Sequence, residues 1–341
     1  MKLIRLSQRQ AETIVQAMAA VVSAEGQIAP EPIELDSIAA IQRHLLLQDP
    51  PLACVPGTLP EGLAAALDTQ RLRRQTVRIL AMLPILDRKI LPEKVLVVEE
   101  AAERLGVREF GVVLLGRIAR DQRRRLVFGL AMFGLMRRYL AHYQSLTGRA
   151  RGCDWLHVLW SVAPWLPGLR KLLGLDELLA KYRGLAALPQ GTLGHAVHCY
   201  YARKGFPLPG APKSIPEGWG RHEVYHVLSD YNTNLQGELL VAGFIAGNSD
   251  ELCLEVVLPA LVHLHAGRKF VPGPVAEGKL RPDDFFRAVA RGMTMSVDLL
   301  AGWRLWEAAA KNLAEVRANY NLPALSEDER SRLLAENALL A

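Results

Sequence analysis

Arg221-His222-Glu223-Val224-Tyr225-His226-Val227-Leu228, then the turn formers Ser229-Asp230-Tyr231-Asn232-Thr233-Asn234, then Leu235-Gln236-Gly237-Glu238, is the stretch around which the rest of the chain is organised. His222 and His226 are four apart, so on a helix they stand one turn apart on one face, both able to reach a single ion. Val224, Val227 and Leu228 give that helix its apolar spacing, and the polar cluster after them ends it. Thr233, with Gln236 three residues on, reads as a capping box for a second, buried helix over residues 235–245. A tight helix-loop-helix then returns Glu238 toward both histidines, and Gly237 lets the two backbones approach closely.

The residue types define the chemistry. Neutral imidazoles with carboxylates bind Zn, Fe, Mn or Co, and two histidines with one carboxylate and open positions also form non-haem iron sites. The candidate ligands of one divalent metal, Zn or Fe with Mn as a further choice, are His222, Glu223, His226 and Glu238. Glu223 and Asp230 are the candidates for moving a proton. A His-Glu-x-x-His match also arises in helices that hold no metal, and here the downstream Glu238 and the turn chemistry distinguish the site.

His222-Glu223-x-x-His226, eleven intervening residues and Glu238, with Thr233-Asn234-x-x-Gly237-Glu238 inside, resembles the signature of the coenzyme Q (ubiquinone) biosynthesis protein 4 family. Leu188-Pro189-Gln190-Gly191-Thr192-Leu193-Gly194 resembles the family's stretch ahead of the metal helix, and Trp306-Glu307 with Arg317 resembles its C-terminal helix. The family has Asp where this chain has Glu223, and commonly Gly where it has Asp230. The resemblance covers residues 151–341 and implies an all-helical metal-binding domain. It also implies a prenylated aromatic handled at the metal, partner biosynthetic enzymes and a position at a membrane surface.

Composition agrees with helices. Ala, Leu and Val abound, aromatics make up 6 % and Arg outnumbers Lys, so the expected fold class is all-α, with two helical domains in 341 residues. The net charge is +6, and residues 117–138 carry seven arginines against Asp121, an excess equal to the whole chain's. That segment interleaves its arginines with Leu, Phe and Met rather than with stacking aromatics and polar readers, which argues against nucleic acid. Cys54, Cys153, Cys199 and Cys253 are scattered, with no secretory peptide ahead of them, and read as reduced cytoplasmic thiols. The longest apolar runs, 126–136 and 155–159, fall short of the roughly 20 residues that span a bilayer, leaving a peripheral position on the inner membrane face as the alternative to a free cytoplasmic one.

Along the chain, residues 9–22 have helical spacing, and a second helix is expected to open at Pro30. The arrangement recurs 62 residues on: Glu25, Ile28, Pro30 and Glu31 map onto Asp87, Ile90, Pro92 and Glu93. These duplicated acidic turns, Glu25-Gly26-Gln27-Ile28-Ala29-Pro30-Glu31 and Asp87-Arg88-Lys89-Ile90-Leu91-Pro92-Glu93, resemble the TerB-like domain and read as helix caps or as a divalent-cation site. The expected division is a TerB-like domain over 1–115, a basic apolar helical connector over 116–150 and the metal-binding domain over 151–341. In the last of these, a helix is expected over 192–203 with His195 and His198 as spare ligands. Further helices are expected over 251–265, containing Pro259, and over 283–320.

Three functions fit these residues. The first is a metal-dependent protein of the ubiquinone-biosynthesis type, acting on a prenylated aromatic by oxidative decarboxylation or hydroxylation of the ring, alone or as a homodimer. The second takes His222-Glu223-x-x-His226 as a zincin hydrolase with Glu223 as base. The third is a non-catalytic lipid-binding scaffold.

Overall fold

The computed structural model describes residues 1–120, 169–214, 217–269, 275–301 and 303–339. Among them are sixteen α-helices and no strand, and the two isolated bridges, Thr192 with Asn312 and Ala266 with Glu277, extend into no ladder. The fold class is all-α. The apolar runs 126–136 and 155–159 and the expected boundary at 145–152 lie outside the described residues. No described helix is long and apolar enough to cross a membrane.

The chain forms two compact units, each assembled from two separate stretches. One comprises Met1–Arg137 with Asn234–Thr294, the other Arg138–Thr233 with Met295–Ala341. This grouping by packing differs from the consecutive division at 1–115, 116–150 and 151–341 drawn from motifs. Its physical source is the Leu235–Asn248 helix, apolar on every side, with Leu239, Val241, Phe244 and Ile245 all buried. A helix without a polar face needs cover all round. Within the first unit it is covered by the Cys253–Leu264 and Pro282–Thr294 helices, which themselves pack on the Gln70–Met82, Phe110–Arg120 and Pro32–His44 helices. Leu254, Leu258, Phe285 and Phe286 thus share one core with Ile14, Met18, Ile41 and Leu80.

The Leu235–Asn248 and Pro282–Thr294 helices meet backbone to backbone. A Cβ on Gly247 would stand 2.0 Å from the Val289 carbonyl oxygen, and one on Gly292 would stand 2.0 Å from that of Phe244. Only glycine admits that approach.

In the N-terminal stretch, Ser7 and Gln10 form a capping box that opens the Gln8–Val22 helix. The next helix, Pro32–His44, opens at Pro32 rather than at Pro30. Glu31 precedes a proline, which disfavours helical backbone, so it stays extended as the N-cap and Pro32 takes the first helical position. The second copy opens at Pro92, as expected.

The second acidic turn meets the Pro32–His44 helix across a lysine. Lys94 Nζ lies 2.6 Å from Glu34 Oε1 and 2.7 Å from Asp87 Oδ2, with all three side chains no more than 1 % exposed. Asp87 Oδ1 also accepts from the Lys89 and Ile90 amides, and Glu25 accepts from the Leu59 amide. The positive charge between Glu34 and Asp87 is therefore the chain's own.

The single helix expected over 283–320 is broken. It ends at Thr294, and the remainder forms the short helices Leu305–Ala308 and Leu313–Asn319. Asp298 accepts from the Leu300 amide in a side-chain turn, and the Ser296 amide reaches the Tyr320 carbonyl at 2.9 Å, so the chain doubles back. Pro259 lies inside the Cys253–Leu264 helix, as expected.

Candidate metal centre

The Glu217–Ser229 helix carries His222, Glu223 and His226. Its end is held by Arg317, whose Nε donates to the Leu228 carbonyl at 2.9 Å and whose Nη2 donates to that of Val227 at 2.8 Å. A guanidinium there satisfies carbonyls left open by the last turn and opposes the negative end of the helix dipole. Asp230 follows in left-handed backbone, φ 66°, and the Arg221 guanidinium fixes the other flank on the Leu299 carbonyl.

His226 is 2 % exposed, and its Nδ1 lies 3.1 Å from the Tyr231 carbonyl. A carbonyl only accepts, so Nδ1 carries the proton and Nε2 presents its lone pair. That Nε2 stands 3.0 Å from His222 Nε2, with the two rings edge to face at 4.7 Å. Two nitrogens at that separation subtend about 90° at an ion about 2.1 Å from each. A ring orientation fixed through the other nitrogen is what a metal-bound histidine requires.

Five residues, 230–234, join this helix to Leu235–Asn248. The cap of the second helix is Asn234 rather than Thr233: its side chain accepts from the Gly237 amide at 2.7 Å. Asparagine caps slightly better than threonine, and its place one residue later sets the register. Glu238 consequently lies in the first turn, where the helix dipole favours a carboxylate. His222, His226 and Glu238 each offer one ligand atom, and these atoms lie within 4.8 Å of one another. This donor set fits a divalent cation.

Glu223 stands outside that group. Adjacent helical residues do not face the same way, and Glu223 turns to the neighbouring Leu193–Lys204 helix, where the Tyr200 hydroxyl donates to its Oε2 at 2.8 Å. Asp230 is exposed and pairs with Arg330 at 3.0 Å. His195 and His198 sit on the Leu193–Lys204 helix and are not members of the group.

Tyr200 also stacks on the His226 ring, with centroids 5.8 Å apart and planes at 19°. Beside it, the Tyr201 hydroxyl is buried without a partner among the described residues. Burial, reinforced by Glu223 and Glu217, raises its pKa, so it stays a neutral donor. No spacing in the sequence marks either tyrosine, because their positions matter only once two helices are side by side.

The flanking stretches also meet within the second unit. The Leu193 and Gly194 amides donate to the Lys311 and Ala309 carbonyls, and the Leu313 amide donates to that of Gly191. Trp306 packs edge-on against Tyr182 at 5.1 Å. The segment 188–194 is therefore docked on the same C-terminal stretch that supplies Arg317. Comparison of the chain with protein-family models, curated proteins and solved structures gives no match.

Proposed function

We propose that this chain is a metal-dependent protein of the ubiquinone-biosynthesis type, binding and acting on a prenylated aromatic ring at a membrane surface, in company with other biosynthetic enzymes. The observation that carries the reading is the convergence of His222 and His226 Nε2 at 3.0 Å, with His226 locked through Tyr231 and Glu238 within reach. His222, His226 and Glu238 would hold one divalent ion. When bound, such an ion supplies a Lewis acid with open positions and, if it is iron or manganese, a redox centre.

The chain's residues do the rest. Glu223, oriented by Tyr200, moves the proton. The Tyr201 hydroxyl is a donor for a ring oxygen. In the reaction, the ring carboxyl leaves as carbon dioxide and the ring carbon takes a proton, or takes a hydroxyl whose oxygen comes from dioxygen, the second oxygen atom leaving as water with two electrons from a separate reductant.

A zincin-like hydrolase is the second reading, favoured by Glu223 standing outside the ligand group as a base would. Against it, the described residues include no strand to align an extended peptide. The test is elemental mass spectrometry of protein purified without added metal or chelator, beside His222→Ala and Glu238→Ala. Iron or manganese near one per chain in the wild type, lost from both variants without unfolding, supports ring chemistry, to be followed with a prenylated hydroxybenzoate. Zinc moves the weight to the hydrolase, and full metal in both variants overturns the site.

A further inference from the structure

In the first unit, a cavity of about 350 Å³ lies against one face of the Gln70–Met82 helix. Arg71, Arg74 and Arg78, spaced by three and four residues, form one wall, and Asp250 and Glu251 form another. Arg78 is 3 % exposed. Its Nε donates to Glu109 at 2.9 Å, and Arg74 Nε lies 3.3 Å from the same carboxylate oxygen. Among the described residues no hydrogen bond engages the Nη groups of Arg78 or the guanidinium of Arg71. A buried guanidinium normally has its donors satisfied, so a side chain left this way on a cavity wall is arranged for something that enters.

The guanidiniums on that wall select the ligand. Arg74 and Arg78 share one carboxylate, Glu109, and Arg71 acts on Asp250. Across the cavity, Asp250 is occupied by the Met1 ammonium at 3.2 Å. Three guanidinium forks on one wall suit a phosphate monoester, whose oxygens such forks engage in pairs. Gln70, Gln75 and Glu251 also line the cavity and suit hydroxyl groups on the body of such a molecule.

We propose that this cavity binds a small phosphorylated, hydroxyl-bearing metabolite through Arg71, Arg74 and Arg78. It is built from other residues than His222, His226 and Glu238 and does not depend on the reading of that centre. The test is calorimetric titration and thermal melting of the full chain with inorganic phosphate and with glycerol 3-phosphate, against sodium chloride at equal ionic strength.

Saturable binding of phosphate is expected, tighter for glycerol 3-phosphate. Arg71→Gln should weaken it about 10-fold, and Arg71→Gln with Arg74→Gln should abolish it. Because Arg71 is exposed, its single variant should melt with the ligand-free wild type, so weakened binding is not misfolding. His222→Ala should bind as the wild type does. The proposal is overturned if phosphate stabilises no more than chloride, if Arg71→Gln binds unchanged, or if His222→Ala loses the binding.

Discussion

The Tyr200 hydroxyl donates to the Glu223 carboxylate at 2.8 Å, and this bond holds Glu223 away from the group formed by His222, His226 and Glu238. Glu223→Gln should therefore keep the wild-type metal stoichiometry while losing turnover. Tyr200→Phe should keep metal, reduce turnover and cost about 1–2 kcal/mol of stability, because the carboxylate stays buried without its donor. Elemental analysis beside a denaturant curve decides it: metal lost from Glu223→Gln would make Glu223 a ligand.

Lys94 joins the Pro32–His44 helix to the second acidic turn, so Lys94→Ala leaves Glu34 and Asp87 buried and facing each other. The expected loss at neutral pH is about 3–5 kcal/mol. Millimolar calcium or magnesium should recover part of it in the variant and none in the wild type. Burial already raises the Glu34 pKa above 4.5, with Lys94 and the Glu31 amide opposing. A raised folded-state value means that the folded chain takes the proton first as pH falls. The variant's deficit should accordingly shrink as pH is lowered toward 4.5. A loss under about 1 kcal/mol would show that the cluster contributes little.

Gly247→Ala should destabilise the first unit by about 3 kcal/mol, since the new Cβ meets main chain that cannot move aside. Gly184 serves as the control, being helical with no atom within 4 Å of where a Cβ would stand. Gly184→Ala should be neutral or stabilising by up to about 1 kcal/mol. Equal effects in chemical denaturation would contradict the close helix contact.

Asp283 pairs with Arg43, His44 and Arg287. Burial alone would raise its pKa, but the His44 bond and the arginines outweigh it and the value falls below 3.8. The sign follows: the ionised form is favoured by folding, so the contribution is present above 3.8 and lost as pH falls through the folded value. Asp283→Asn should cost about 1 kcal/mol at neutral pH. The difference from wild type should vanish in acid, and a difference constant down to about pH 2 would exclude the ion pairs as its cause.

Helices and the histidine pair were legible because both rest on spacing that one helix fixes by itself. The four-residue step from His222 to His226 predicts a shared face whatever surrounds it. Helix starts were legible only to within a turn. Pro30 and Pro32 are equally good openings until the extended backbone of Glu31 chooses, and Thr233 and Asn234 compete for one cap.

The helix expected over 283–320 failed for a related reason. Leu299, Trp303, Trp306 and Val316 keep an apolar spacing through a stretch where the side-chain turn at Asp298 and the cap at Asn312 interrupt the backbone. Tyr200 and the capping role of Arg317 had no local signal, because each acts on a residue at least 23 positions away in sequence. For the same reason the interleaved grouping of residues 234–294 with the N-terminal stretch could not be read from motifs.

That interleaving sets the order in which the molecule can be made. As the chain leaves the ribosome, the first 137 residues emerge without Leu254, Leu258, Phe285 and Phe286, which complete their core. They must wait, with apolar surface exposed, while the stretch 138–233 is synthesised, and that stretch in turn waits for Arg317 to close the Glu217–Ser229 helix. Neither unit can finish before the other has begun, so no single cut yields a self-sufficient half, and the nascent chain is the form most in need of a chaperone.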